Sequence, residues 1–162
     1  MSNDAVPMTP ACRERLRIEL RRIKEVDRAQ NMLDLEEARA HGDLSENAEY
    51  HAAKERRATL EARMRYVESR LARAQVIDPA TIKSDRIGFG ATVSLIDLDT
   101  DESLVYSLVG EDESDVSAGR ISIASPIARA MVGKQEGDSV IVRLPKGDRE
   151  LEVVKIDYRA LD

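Results

Sequence analysis

Asp43 and Glu46 stand three residues apart in the segment Glu37–Tyr50, which reads EARAHGDLSENAEY. From Asp34 to Glu49 the chain places six acids against one base, Arg39, a net −5 in sixteen residues. Two carboxylates offer hard oxygen donors of the kind Mg2+ takes. An octahedral site needs more ligands than these two, so water or a partner would have to complete it. Asp-x-x-Glu is also the spacing of a capping box, in which Asp43 accepts from the backbone near Glu46 and Glu46 reaches back to the N-cap amide. The two uses are compatible, because an aspartate has a second oxygen and an exposed glutamate can exchange a local bond for a metal. Spacing leaves both open.

The element that must hold this segment is a helical hairpin. From Ala11 to Gln75 there is no proline, and the only glycine, Gly42, lies near the middle. In the second arm Leu60, Met64, Val67, Leu71 and Ala74 recur at alternating spacings of four and three, the rhythm of a two-helix seam. The first arm offers Leu16, Leu20, Ile23, Val26 and Leu33, a weaker series interrupted by Gln30. Arms of about 30 residues imply a length of roughly 45 Å. Arginines and lysines along both arms alternate with acids, as on a solvated coiled-coil surface.

After Gln75 the pattern changes to strands. Ala91–Ile96 and Leu104–Val109 read as a hairpin around the turn 97–102, Arg120–Ala124 as a third strand, and Val140–Leu144 with Leu151–Ile156 as a further hairpin. Gly110–Gly119 reads as an acidic loop. Ser125-Pro126 combines an N-cap hydroxyl with proline at the first helical position, and Gly133 closes that short helix. The fold class is therefore α+β: a long N-terminal antiparallel coiled-coil hairpin, residues 8–76, followed by a small antiparallel-sheet domain, residues 82–158.

Composition narrows the function. The 162 residues carry a net charge of −6, with residues 1–75 at +1 and residues 76–162 at −7, which is not the balance of a basic nucleic-acid binder. Protein partners are the better expectation. A single cysteine, Cys12, excludes an internal disulfide and a thiolate metal cluster. No apolar run reaches membrane-spanning length, and MSNDAVPMTP lacks the basic and apolar stretches of an export signal, so no membrane association and a cytoplasmic location are expected. Gly88-Phe89-Gly90 lacks the spacing of a dinucleotide fingerprint.

The tip segment Ala38–Tyr50, continued by His51-Ala52-Ala53-Lys54, closely resembles the tip of the bacterial Gre transcript cleavage factors. Phe89-Gly90-Ala91-Thr92-Val93, Ser125-Pro126-Ile127-Ala128-Arg129-Ala130, Gly133-Lys134 and Glu136-Gly137-Asp138 are similar to signatures in that family's second domain. The resemblance is colinear over about residues 8–158. It implies a coiled coil joined to a domain similar to the FKBP fold, without carrying over prolyl isomerase activity, since Phe89 is the only phenylalanine and there is no tryptophan for an aromatic pocket.

It further implies a monomeric protein that is not itself an enzyme. Such a factor docks on bacterial RNA polymerase, inserts its tip through the secondary channel and stimulates Mg2+-dependent cleavage of the backtracked nascent RNA 3′ end. Asp43 and Glu46 would share Mg2+ with the polymerase, with no cofactor held stably by this chain alone. Arg39, His41, Gly42, Leu44, Ser45, Asn47 and Tyr50 would support the tip, and Ser125, Pro126, Ile127, Ala128 and Arg129 would dock the polymerase. On their own merits, Arg39 reads as an intrahelical partner of Glu36 or Glu37 and His41 as a solvent-facing turn residue.

Two departures stand out: Arg28-Ala29 replaces the family's Arg-Pro pair, and Ala11-Cys12 its early glycine pattern. The mixed stalk and extended acidic tip point to the A subtype. The competing reading is a polymerase-binding channel blocker that inhibits transcription without stimulating cleavage. A freestanding hydrolase is disfavoured because His41 and His51 form no familiar catalytic pair.

Overall fold

The computed structural model describes residues 4–43 and 47–162. It divides into two units, one built on Arg13–Ala74 and the other comprising Ala5–Cys12 with Gln75–Asp162. The architecture is the expected α+β arrangement of a helical hairpin followed by a small sheet. Strand β1 (Val6–Met8) precedes α1 (Pro10–Arg22), which starts with proline at its first position and Thr9 before it. The Cys12 N–H donates to Thr9 Oγ1 at 3.2 Å, satisfying one of the amides a helix start leaves open.

The first arm continues through a π-helical turn (Ile23–Asp27) into α2 (Arg28–Arg39), and the second arm is α3 (Ala48–Ala72). In α3 the buried residues Ala53, Leu60 and Val67 are spaced by seven, so its seam follows the expected heptad phase. The first arm does not follow its expected stripe: Val26 and Leu33 are exposed, and the buried positions are Leu16, Ile23, Asn31, Leu35 and Ala38.

The π turn explains the correction. Continuing the four-three alternation from Leu16, Leu20 and Ile23 would bring Asp27, Gln30, Asp34 and Glu37 inward, burying three acids. Instead the Arg28 N–H donates to Ile23 O, five residues back, which accommodates one extra residue in the turn and retards the helix by roughly 100°. Every later seam position moves one residue on, to Asn31, Leu35 and Ala38. Arg63 with Glu19 (2.6 Å) and Lys24 with Glu68 (3.1 Å) join the arms at the exposed edge. Such pairs contribute little to stability, so the apolar stripe holds the arms.

In the second unit five strands form one sheet, ordered β5-β4-β3-β7-β6, from β3 (Ala91–Asp97), β4 (Ser103–Val109), β5 (Arg120–Ser122), β6 (Ser139–Leu144) and β7 (Gly147–Tyr158). The pairs β3–β4, β3–β7 and β6–β7 are antiparallel. Strand β5 is shorter than expected and runs parallel to β4, because the chain between them crosses back through two 3-10 turns rather than a hairpin. Helix α4 (Pro126–Met131) covers one face. Val93, Leu95, Leu108, Met131, Leu151 and Val153 form its aliphatic core. β1 pairs with β2 (Ala74–Val76) in a separate ribbon absent from the sequence expectation.

The acidic loop 110–119 is not wholly solvated. Glu113 is buried, and its carboxylate accepts from both the backbone N–H and the hydroxyl of Thr9, which gives a desolvated charge the donors it needs. Asp97, also buried, accepts from the Asp99 N–H at 2.9 Å and from Arg149 at 3.0 Å. The Asp99 amide, with further help from Arg149, holds its carboxyl below the usual carboxylate range despite the opposing effect of burial. A lowered folded-state pKa means the unfolded chain binds protons first, so this contribution is complete above the ordinary aspartate range and is lost as pH falls from that range through the lowered folded-state value. Acid titration of unfolding should show a steeper stability loss below about pH 4 for the wild type than for Asp97→Asn.

Candidate functional site

The tip is built from the end of α2 and the start of α3. Past Arg39 the helix tightens: the Ala40 N–H donates to Glu36 O and Glu37 O, and the His41 N–H to Ala38 O, each at 3.2 Å. Gly42 then takes φ +99°, a left-handed conformation that a side chain resists, with open space where a Cβ would project. Glycine is required by backbone conformation rather than by crowding. Asp43 follows, exposed. Leu44, Ser45 and Glu46 lie outside the described residues.

The N-cap of α3 is Asn47, whereas the capping box that spacing allows on Asp43 and Glu46 involves Glu46, outside the described residues. Asn47 Oδ1 accepts from the Tyr50 N–H at 3.1 Å, and its Nδ2 donates across the hairpin to Ala38 O at 2.6 Å. Asn47→Ala is expected to lower stability of the hairpin by about 1 kcal/mol or somewhat more, read from thermal unfolding followed by helical circular dichroism.

The support residues are engaged with one another. His41 Nδ1 lies 3.2 Å from Glu49 Oε2, joining the two sides of the tip rather than pointing only to solvent. Arg39 sits 6.0 Å from the centre of the Tyr50 ring and Lys54 5.5 Å, so Tyr50 lies between cations of both arms. This replaces the expected pairing of Arg39 with Glu36 or Glu37. Among the described residues no group of three or more His, Cys, Asp or Glu side chains is arranged to hold a metal. Asp43 is an oxygen donor of the right chemistry for Mg2+, and Glu46, the other expected donor, lies outside the described residues.

In the second unit Ser125 Oγ accepts from the Ala128 N–H at 3.3 Å and Pro126 occupies the first helical position of α4. Ala128 is fully buried and Ile127 packs against the core, so Ala128 offers a partner no surface. Pro126 and Arg129 are exposed, and Ser125 and Ile127 are half-buried.

Asn31 was absent from the sequence-based site. It is buried in the seam, and its Nδ2 donates to Ala53 O on the facing arm at 2.9 Å. Its spacing to Leu35 and Ala38, four and then three, is the signal that could have found it. No described helix is long and apolar enough to cross a membrane.

Residues 6–76 match the family model described as transcription elongation factor, N-terminal, and residues 82–158 the model for transcription elongation factor, GreA/GreB, C-term. The chain is 53% identical over 152 residues to the transcription elongation factor GreA of Brucella anthropi, covering 94% of this chain and 97% of the relative. It is 52% identical over 156 residues to that of Magnetococcus marinus, with coverages of 96% and 99%. Among solved structures, GreA factor homolog 1 of Thermus thermophilus is 33% identical, with coverages of 94% and 98% and a TM-score of 0.44.

Proposed function

Since the chain belongs to the GreA/GreB family of transcription elongation factors, we propose that it acts on bacterial RNA polymerase and stimulates cleavage of backtracked nascent RNA. The polymerase performs the hydrolysis, and this protein is an accessory to it. The observation that carries the reading is the exposed carboxylate of Asp43 just beyond a glycine reversal that the Asn47, His41–Glu49 and Tyr50 contacts brace from both arms.

In this reading the second unit docks the polymerase through Arg129 and Pro126, and the coiled-coil hairpin enters the secondary channel. Asp43 and Glu46 are the residues that would hold a Mg2+ ion jointly with the polymerase's own aspartates. That ion would stabilise charge on phosphate oxygens and lower the pKa of a bound water. The chain's own work is to present two oxygens on a stiff support and to keep the attacking water near the scissile phosphate. An acidic tip repels RNA by itself, so its approach depends on the cation.

The decisive experiment is cleavage of a stalled, backtracked elongation complex, with factor and RNA alone as control. Shortening that requires the polymerase, Mg2+ and an intact tip supports the proposal. Polymerase binding that suppresses elongation without shortening RNA would make the protein a channel blocker, and shortening by factor alone would make it a hydrolase. Arg129→Glu should weaken polymerase binding about tenfold or more while leaving the unfolding transition in place, as measured by titrating labelled polymerase. Unchanged binding would remove Arg129 from the interface.

A further inference from the structure

Two asparagines bind the arms reciprocally. Asn31 of α2 donates to Ala53 O of α3 at 2.9 Å, and Asn47 at the start of α3 donates to Ala38 O of α2 at 2.6 Å. Each bond runs from a side chain on one arm to the backbone of the other, and the two bracket the last stretch of seam before the reversal. We propose that Asn31 and Asn47 are positioning residues that lock the arms in one axial register and thereby set where the loop carrying Asp43 stands. The consequence for RNA cleavage rests on the functional reading above, whereas the register lock does not.

The seam near the tip needs such a device. Its buried side chains there include Ala38 and Ala53, whose small, smooth surfaces discriminate poorly between one alignment and the next. An amide is different. Asn31 is only 5% exposed, so sliding one arm past the other would strand its donor away from water and from Ala53 O. A single buried asparagine in a helical seam selects register in this manner at some cost in stability. The π turn is part of the same arrangement, because without its extra residue Gln30 would occupy the inward phase in place of Asn31. Asn47 adds the second constraint: one oxygen caps α3 through the Tyr50 N–H, and the amide nitrogen of the same side chain reaches Ala38 O. The start of α3 is therefore tied to the last turn of α2, two turns beyond the Asn31 bond.

The test compares Asn31→Leu, which replaces the amide by an apolar group, with Asn47→Asp, which keeps an oxygen for the cap but removes the donor. In a Cys12→Ala background, nitroxide labels introduced through Glu36→Cys and Arg56→Cys report the distance between the arms by pulsed electron resonance. Each variant should broaden that distribution or add a population displaced by about one helical turn, roughly 5 Å. In backtracked complexes the maximal cleavage rate should fall about tenfold, with the half-saturating factor concentration unchanged. The melting temperature of Asn31→Leu should be no lower than that of the wild type.

An unchanged distribution in either variant overturns the proposal, as does a broadened one with undiminished cleavage. Activity that falls only in step with a lower melting temperature would assign the pair to stability alone and overturn it as well. If the wild-type chain stimulates no cleavage, the functional reading fails, and the distance measurements still decide the register lock.

Discussion

Asp43→Ala is expected to lower the maximal rate of polymerase-dependent RNA shortening by about 100-fold at limiting Mg2+, with the half-saturating concentration of the protein unchanged. The substitution removes a ligand oxygen, while the cap of α3 on Asn47 and the left-handed turn at Gly42 keep their own side chain and backbone. Helical circular dichroism should therefore match the wild type. Glu46→Ala should reduce cleavage in the same direction and by less. Raising Mg2+ should restore part of the rate in both variants, since a weaker site fills at higher concentration. Equal rates for the wild type and both variants at limiting Mg2+ would reject the assignment of these carboxylates. A loss of polymerase binding with Asp43→Ala would place the residue in docking instead.

Met131→Ala is expected to destabilise the second unit by about 3 kcal/mol, within the range for emptying a buried methionine site. Met131 is fully buried on α4, beside Ala128 in the core cluster that includes Val140 and Val142 of β6. The cavity would loosen the helix that presents Arg129. Native-state hydrogen exchange reads the effect by segment: amides of β3 and β7 should exchange faster, while those in the middle of α3 should not. Polymerase binding should weaken on warming at temperatures where the wild type still binds. A stability change below about 1 kcal/mol would mean that the site collapses around the lost atoms and that Met131 does not anchor α4. The contrast with Arg129→Glu is diagnostic, because that substitution changes an exposed charge and leaves the core intact.

Much of the architecture was legible because its signals are local. The α3 stripe through Leu60 and Val67 repeats at heptad spacing, and burial follows it directly. Ser125-Pro126 announced the start of α4 through the same hydroxyl and ring that cap it in the structure. The alternating segments 91–96, 104–109 and 140–144 are all strands. The first arm was misread for a physical reason: a heptad count assumes a constant number of residues per turn, and the π turn at Ile23–Asp27 breaks that assumption. Gln30, which interrupts the expected stripe, lies just past the turn in which the phase changes and faces solvent. Val26 and Leu33 are apolar, yet both face solvent.

The candidate site divided along the same line. Residue types and their order identified the acidic tip, the reversing glycine and the short capped helix of the second unit. Which groups meet was not legible: the His41–Glu49 contact, the placing of Tyr50 between Arg39 and Lys54, and the burial of Glu113 under Thr9 join residues whose pairing depends on how elements pack. The cap of α3 was likewise not legible: Asn47 holds that place, with its oxygen on the Tyr50 N–H and its nitrogen on Ala38 O of the facing arm. Alternation of apolar and polar residues, proline and glycine placement, and the concentration of charge were thus determined within the chain by short-range chemistry. Register between the arms, the phase of the first arm and the partners of its buried polar groups were decided only by tertiary structure, since each depends on hydrogen bonds and packing between residues distant in sequence.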